Sequence, residues 1–212
     1  MNCHICNKVA EEFVDEKTDI HYYHCSECEY IFKSPDYYQS FESQKERYNL
    51  HTNDTEDEGY KAYFQRFLDF TLPLVGTSKE ALDFGCGEST ILSDMLKEAG
   101  MDCDYYDPIY HPETLKRDKK YDLIVSTEVF EHLHHPREVF SDLISRLKVR
   151  GYLAIQTQFH SNEHKSFKQW YYHHDQTHIV FFRPKTFSVL AELYGYTLIA
   201  HNSKNMVILQ KQ

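Results

Sequence analysis

The segment ALDFGCGEST, residues 81–90, contains two of the seven glycines in a chain of 212 residues. A short apolar run precedes Gly85 and Gly87, and STILSDMLKEAG, residues 89–100, follows with the spacing of a helix that ends at a glycine. The order is therefore a strand, a glycine turn and a helix. Two glycines so close together indicate that the backbone approaches a ligand there.

A second strand, DCDYY at residues 102–106, is followed by Asp107, about twenty residues after the glycine turn. An acid at this position can accept hydrogen bonds from both ribose hydroxyls of a nucleoside. The third glycine of a dinucleotide site is missing because Thr90 occupies its position, and Asp83 and Glu88 disfavour a pyrophosphate but suit an ammonium group. The sequence thus predicts a doubly wound α/β sheet that binds a nucleoside with an amino-acid head group. It argues against an NAD-dependent oxidoreductase.

These motifs resemble those of the class I S-adenosylmethionine-dependent methyltransferases, in their bacterial small-molecule branch. The resemblance covers about residues 60 to 212 and rests on ALDFGCGEST, DYYDP (104–108), YDLIVSTEVFEHL (121–133), GYLAIQT (151–157), YTLIAH (196–201) and NMVILQ (205–210). It implies a Rossmann-like, mostly parallel sheet with an antiparallel C-terminal strand, and a methionine moiety near the glycines. The cofactor contacts that it implies are Asp83, Gly85, Cys86, Gly87, Asp107, Pro108, Thr127 and Glu128.

One segment departs from the family pattern. PIYHPETLKRDKK, residues 108–120, is too short for the helix and third strand that the family carries there. The acid that usually completes the adenine pocket has no equivalent in this sequence. We therefore expect Pro108, Ile109 and Tyr110 to cover the adenine instead.

The chemistry is expected near STEVFEHLHHP, residues 126–136. If Glu131 and His132 enter a helix after Glu128, the spacing presents two carboxylates and one imidazole on a single side. Such a trio can bind a divalent ion, and similar E-x-x-E-H segments completed by a later histidine do so in some RNA-ribose and quinone-ring O-methyltransferases. The alternative is that Glu131 and His132 only orient the helix start and contact the cofactor.

A later segment, WYYHHDQTHIVFFRPKTF at residues 170–187, resembles a conserved part of a bacterial methyltransferase branch. We predict His178 as a general base or as the fourth ligand of the metal, and Glu131 and His132 as the other catalytic residues. The alternative makes His178 a buried hydrogen-bond partner of Asp175 or Glu131. The three aromatic residues that open the segment could line a substrate or merely pack: Trp170, Tyr171 and Tyr172.

The N-terminus carries four cysteines as C-x2-C, eighteen intervening residues and C-x2-C: Cys3, Cys6, Cys25 and Cys28. Two turns at this spacing can present four thiolates to one tetrahedral zinc, in a closed structural site. Metal-free turns or two disulfides are the alternatives, and a cytoplasmic location disfavours the disulfides. Strands are expected in VAEEFV (9–14) and IHYYH (20–24). The ribbon could bind a protein partner, cover the active site or stabilise the chain.

Composition limits the remaining possibilities. The formal charge of −10, from 33 acids and 23 bases, and the lack of a basic cluster disfavour nucleic acid as a partner. No apolar run of about 18 residues and no signal-peptide pattern is visible, so a cytoplasmic protein without a membrane span is expected.

We predict three parts: a zinc ribbon at residues 1–34, an acidic polar connector at 35–58 and a methyltransferase domain at 59–212, which begins with a helix whose apolar stripe is Tyr63, Phe67, Phe70 and Leu74. The methyl acceptor would be a small molecule or a carrier-bound group. The competing hypothesis is a catalytically silent domain with the ribbon as an interaction module.

Overall fold

The computed structural model describes residues 1–39, 58–116 and 118–212, so residues 40–57 of the predicted connector lie outside the described residues. Ten strands are present in the described part: β1 Glu11–Asp15, β2 Ile20–Cys25, β3 Tyr30–Lys33, β4 Glu80–Phe84, β5 Asp102–Tyr106, β6 Tyr121–Thr127, β7 Leu147–Gln156, β8 Val180–Phe181, β9 Tyr196–His201 and β10 Met206–Lys211. The helices there are α1 Glu58–Thr71, α2 Ile91–Glu98, α3 Pro136–Ser145, α4 His164–Phe167 and α5 Pro184–Leu193. None of these helices has the length and apolar character needed to cross a bilayer.

The larger sheet has six strands in the order β5-β4-β6-β7-β10-β9. The pairs β4 with β5, β4 with β6 and β6 with β7 are parallel, whereas β10 is antiparallel to both β7 and β9. Its central strands read as continuous apolar runs because helices cover both faces, and Leu82, Ile124 and Leu153 are fully buried. The predicted Rossmann-like sheet with an antiparallel C-terminal strand is confirmed.

Strand β5 forms one edge of this sheet. In the described residues between β5 and β6, the backbone pairing is an isolated bridge between Asp107 and His111, in agreement with the predicted lack of room for a third strand. Lys119 bonds Asp102 and Asp104 of the edge strand at 3.0 and 2.9 Å. Charged side chains of this kind protect an open edge from pairing with another chain.

Helix α1 confirms the predicted helix at the start of the larger region but buries a different stripe. Phe67 is buried as predicted, and Phe64 and Leu68 join it in the core beside α2. Leu74 is 42% exposed because the helix ends at Thr71, just before a proline that disfavours helical backbone in the preceding residue.

The smaller sheet has four antiparallel strands in the order β1-β2-β3-β8. Strands β1 and β2 lie where the sequence predicts them. Strand β8 comes from the far end of the chain and pairs with β3 through Ile31 with Phe181 and Phe32 with Val180. The N-terminal segment is therefore joined to the rest of the chain by backbone hydrogen bonds. The predicted boundaries at residues 34 and 58 stay predictions.

Candidate cofactor and active site

The glycine turn lies between β4 and α2. Gly85 and Gly87 have φ angles of 79° and 69°, the left-handed conformation that glycine adopts without steric cost. A Cβ atom on Gly85 would overlap Cγ2 of Val129 and lie 3.1 Å from its Cγ1, whereas a Cβ on Gly87 would meet no atom within 4 Å. Gly85 is thus required both for its backbone angle and for its contact with the segment after β6.

Two acids flank this turn. Asp83, the fourth residue of β4, is buried, and burial and the charge of Asp107 raise its pKa to about 7. The Asp107 carboxylate accepts N–H bonds from Gly87 at 3.1 Å, Ile109 at 2.8 Å and Tyr110 at 3.0 Å. Asp107 therefore ties the glycine turn to the segment predicted to cover the adenine. A carboxylate offers about four acceptor positions, so further donors can still bind it.

The remaining predicted cofactor contacts surround the same turn. Cys86 donates its backbone N–H to the carbonyl of Tyr106 at 3.2 Å, and burial raises the pKa of its thiol. Pro108 is exposed beside Asp107, and Thr127 is the half-buried last residue of β6. The structure thus places these residues at the carboxyl ends of β4, β5 and β6, where ligands bind in open parallel sheets.

Two carboxylates and two tyrosines meet beyond β6. The Tyr63 hydroxyl lies 2.5 Å from Oε1 of Glu128, and the Tyr172 hydroxyl lies 2.9 Å from Oε2 of Glu128 and 2.5 Å from Oε1 of Glu131. Burial raises the pKa of both carboxyl groups, and the charge of Glu131 adds to the rise for Glu128. The Tyr172 hydroxyl therefore links two carboxyl groups whose raised pKa favours their protonated form.

Two imidazoles lie beside this pair. Nδ1 of His132 lies 3.0 Å from the carbonyl oxygen of Thr177, and Nδ1 of His178 lies 2.8 Å from that of Tyr172. Because a carbonyl only accepts, each Nδ1 carries the hydrogen in the neutral ring and each Nε2 carries the lone pair. Burial lowers the pKa of His178 to about 3, which keeps its ring neutral.

Ligand atoms of Glu131, His132 and His178 all lie within 4.8 Å of one another. Two imidazoles and a carboxylate are a common donor set for divalent transition metals, and carbonyl acceptors on Nδ1 are the usual support of metal-binding histidines. The residues present therefore fit a divalent ion. Glu128, the remaining predicted ligand, is not part of this set, and its carboxylate is bonded to the two tyrosines.

The local backbone differs from the prediction. Phe130–His132 forms a single 3-10 turn, and α3 begins only at Pro136, because Leu133 is extended and proline favours the first helical position. Glu128 has a φ of 53° and lies outside the turn. Helical spacing therefore does not bring Glu128 and Glu131 together. Their shared bond to Tyr172 does.

Sequence reasoning missed two residues of this site. Tyr63 was assigned to an apolar stripe and Tyr172 to a wall or to packing, yet both hydroxyls bond Glu128. Spacing gives no signal for a hydroxyl that meets its partner only through the tertiary fold. The His178 imidazole bonds the Tyr172 carbonyl, and its backbone N–H donates to the carbonyl of Asp175 at 3.2 Å.

The four N-terminal cysteines form a second cluster. Their Sγ atoms are 3.5 Å apart for Cys3 and Cys28, 3.5 Å for Cys6 and Cys25, and 3.6 Å for Cys6 and Cys28. A tetrahedral zinc with Zn–S bonds of about 2.3 Å would need sulfur separations of roughly 3.8 Å.

The backbone of both cysteine turns suits such a site. Asn7 and Glu29, which follow the two C-x2-C pairs, have φ angles of 61° and 57°, and the N–H of Ile5 points to Sγ of Cys3 at 3.4 Å. The thiols are free of disulfides. The site therefore fits a structural zinc.

Most of the chain is similar to a known family. Residues 57–201 match the family described as methyltransferase domain. No curated protein matches the chain.

Solved structures share the fold. Magnesium protoporphyrin IX methyltransferase from Synechocystis PCC 6803, with bound S-adenosylhomocysteine (SAH), has a TM-score of 0.56 at 13% identity over 84% of this chain and 97% of that chain. The plantazolicin methyltransferase BpumL, in complex with a monoazolic desmethylPZN analog and SAH, has a TM-score of 0.53 at 15% identity over 82% and 93%. An O-methyltransferase family protein from Burkholderia thailandensis has a TM-score of 0.53 at 12% identity over 80% of this chain, which spans 63% of that protein.

Proposed function

The chain belongs to the methyltransferase domain family, and we propose that it transfers the methyl group of S-adenosylmethionine to a small-molecule or carrier-bound acceptor. The observation that carries the proposal is the glycine turn between β4 and α2. Its left-handed glycines are tied to Asp107 on one side and packed against Val129 on the other. A cofactor held there lies next to the carboxylates, tyrosines and histidines beyond β6.

In this proposal the amino-acid part of the cofactor lies over Gly85 and Gly87, with its ammonium near Asp83. The ribose hydroxyls bind Asp107, and the segment that begins at Pro108 covers the adenine. The positive charge of the cofactor supports this placement. Asp83 is buried and its negative charge is repelled by that of Asp107, so a cation beside it would stabilise the carboxylate.

The protein contributes mainly by orientation. A sulfonium is already an activated methyl donor, so holding the acceptor atom about 3 Å from the methyl carbon, in line with the departing sulfur, supplies much of the rate. The acceptor also loses a proton. The Nδ1 hydrogen of His178 is directed to the Tyr172 carbonyl, so the lone pair on Nε2 is available to accept that proton, and Glu131 and His132 lie within reach of the same place.

A divalent ion gives the same residues a second role. Held by Glu131, His132 and His178, it would lower the pKa of an acceptor hydroxyl. The histidines would then be ligands rather than bases. Methyl transfer that stops with chelator and returns with Mg²⁺ or Mn²⁺, ions for which a four-thiolate site has little preference, supports the metal role. Transfer that is insensitive to chelator assigns His178 as the base.

The N-terminal cysteines are proposed to hold a structural zinc. Their four sulfurs at near-tetrahedral separations support it. All four positions are filled by sulfur, so this site has no open place for a reactant.

The first test is a calorimetric titration with S-adenosylmethionine and SAH, with NAD as the control. Micromolar binding of the first two and none of NAD is expected. Failure of both to bind to folded, zinc-loaded protein would leave the silent domain with an interaction module as the better reading. That alternative would also be favoured if the cofactor bound but the wild type and His178→Ala gave the same result, with no methyl incorporation in any extract fraction.

A further inference from the structure

The loop that carries His178 is held from two directions. From the larger sheet, the carbonyl of Glu131 accepts the N–H of Ile179 at 2.9 Å, and the carbonyl of Thr177 lies 3.0 Å from Nδ1 of His132. From the smaller sheet, Lys33 of β3 contacts the same loop. The position of His178 therefore depends on both sheets.

Lys33 is 2% exposed and contacts the chain on each side of His178. Its backbone N–H donates to the carbonyl of Ile179 at 2.8 Å, and its Nζ donates to the carbonyl of Asp175 at 3.0 Å. The same Asp175 carbonyl also accepts the N–H of His178 at 3.2 Å. A buried ammonium is thus placed where it fixes the turn that aims His178.

The cysteine cluster is connected to the other end of β3. Cys28 and Glu29 lie directly before this strand, and both are bonded to the start of α5; Glu29 is also bonded to the loop before α4. The carbonyl of Cys28 accepts the Thr186 hydroxyl at 2.8 Å, and the Glu29 carboxylate accepts Nε of Arg183 at 2.6 Å. The carbonyl of Glu29 lies 2.9 Å from Nε2 of His160. A zinc ion bound at Cys28 and the other three cysteines would therefore hold β3 in place relative to the segment that follows His178.

We propose that the N-terminal four-cysteine segment is the positioning element for the acceptor side of the site, and that Lys33 is its positioning residue for His178. The inference rests on the proposed methyl transfer. The proposal includes no contact of Lys33 with the cofactor, because the glycine turn follows β4 and is built from other residues. The acceptor side and the cofactor side should respond separately.

The test compares Lys33→Met with Lys33→Arg and with Lys120→Met. Lys120 is exposed just before β6 and donates Nζ to the carbonyl of Ser145 at 2.7 Å, so it provides the same change of side chain at a contact that involves neither the cysteine segment nor the His178 turn. Three quantities are measured on zinc-loaded protein: SAH affinity, amide hydrogen exchange across residues 175–179, and the 15N-imidazole signal of His178, assigned with His178→Gln. Labelled methyl transfer into an extract fraction is a fourth.

In Lys33→Met we expect about tenfold faster exchange across the His178 turn, because a hydrogen bond from a charged donor is lost. The His178 imidazole signal should shift, methyl transfer should fall by about tenfold or more, and SAH affinity should stay within about twofold. Lys33→Arg should recover the exchange and the signal, and Lys120→Met should match the wild type. Unchanged exchange and an unchanged His178 signal in Lys33→Met would overturn the proposal.

Zinc removal from the wild-type chain is the second arm and does not depend on how the variant folds. Chelation should raise amide hydrogen exchange across residues 175–179 while SAH still binds. Added zinc should restore the slow exchange. Full protection of this turn in zinc-free protein would refute the role of the cysteine cluster. If the wild type binds no SAH, the proposed function fails, whereas the exchange and imidazole measurements still decide the positioning role.

Discussion

Gly85→Ala should destabilise the protein and weaken cofactor binding. The left-handed backbone, with φ of 79°, costs an alanine about 1 to 2 kcal/mol. The new methyl group also overlaps Cγ2 of Val129, and overpacking of this kind costs a further 1 to 3 kcal/mol, roughly. Gly87→Ala is the matched control, because φ is 69° and nothing lies within 4 Å of its Cβ.

The assay is urea unfolding of zinc-saturated protein, followed by SAH calorimetry on each variant. Gly87→Ala should lose only the backbone part, about 1 to 2 kcal/mol. Adding Val129→Ala to Gly85→Ala should restore about 1 kcal/mol or more, since the overlapping methyl groups are removed and the two positions are in contact. SAH affinity should fall more in Gly85→Ala than in the double variant.

Equal stability losses in Gly85→Ala and Gly87→Ala would contradict the packing argument. So would strictly additive effects of Gly85→Ala and Val129→Ala, because residues in contact should couple. Unchanged SAH affinity in all variants would place the cofactor elsewhere and would refute the proposed role of the glycine turn.

Three further outcomes are expected. Burial lowers the pKa of His160 to about 3. Below the ordinary histidine pKa of about 6.5, the unfolded chain therefore binds a proton at this residue that the folded chain does not. As the pH falls below that value, the free energy of unfolding should decrease by about 1.4 kcal/mol per pH unit relative to His160→Gln. Urea unfolding of both zinc-loaded proteins at pH 7 and pH 5.5 checks this, and parallel curves would refute it. Purified protein should bind Co²⁺ with a thiolate charge-transfer absorption that weakens in Cys28→Ser and is lost when all four cysteines are replaced by serine, and a spectrum without sulfur character would rule out the four-cysteine site. Tyr172→Phe removes the hydroxyl shared by the two carboxylates, so methyl transfer should fall by about tenfold or more with SAH affinity nearly unchanged, and full activity would show that the shared bond is dispensable.

The larger sheet was predictable because each of its parts is encoded locally. The apolar run before Gly85 is β4, the predicted DCDYY is β5 and the predicted YTLIAH is β9. The antiparallel C-terminal strand was implied by the family resemblance of YTLIAH and NMVILQ, and β10 begins at Met206, inside the second of these segments. Strands, turns and caps of this kind depend on neighbouring residues and can be read from the chain alone.

The smaller sheet shows what sequence patterns do not contain. Strand β8 has two residues, too few for a periodic signal, and its partner β3 lies near the opposite end of the chain. The bond of Lys33 to Asp175 and the bonds of Tyr172 to the two carboxylates depend on that long-range pairing. From sequence alone a lysine in a strand is predicted to be exposed, because lysines are rarely buried unless they have a partner, and the partner of Lys33 is known only from the fold.

The two halves of the site therefore have different origins. The proposed cofactor half is built from one continuous strand-turn-helix unit and its neighbour β5, so its residues lie close together in the sequence and could be predicted from spacing and from the family resemblance. The proposed acceptor half brings together α1, the turn after β6, the loop before β8 and the strand β3. Because these elements meet only in the folded chain, changes in any of them should alter the acceptor reaction while cofactor affinity is retained. A library of substitutions scored separately for SAH binding and for methyl transfer should divide along this boundary, and a scatter of acceptor-only effects within the glycine turn would contradict it.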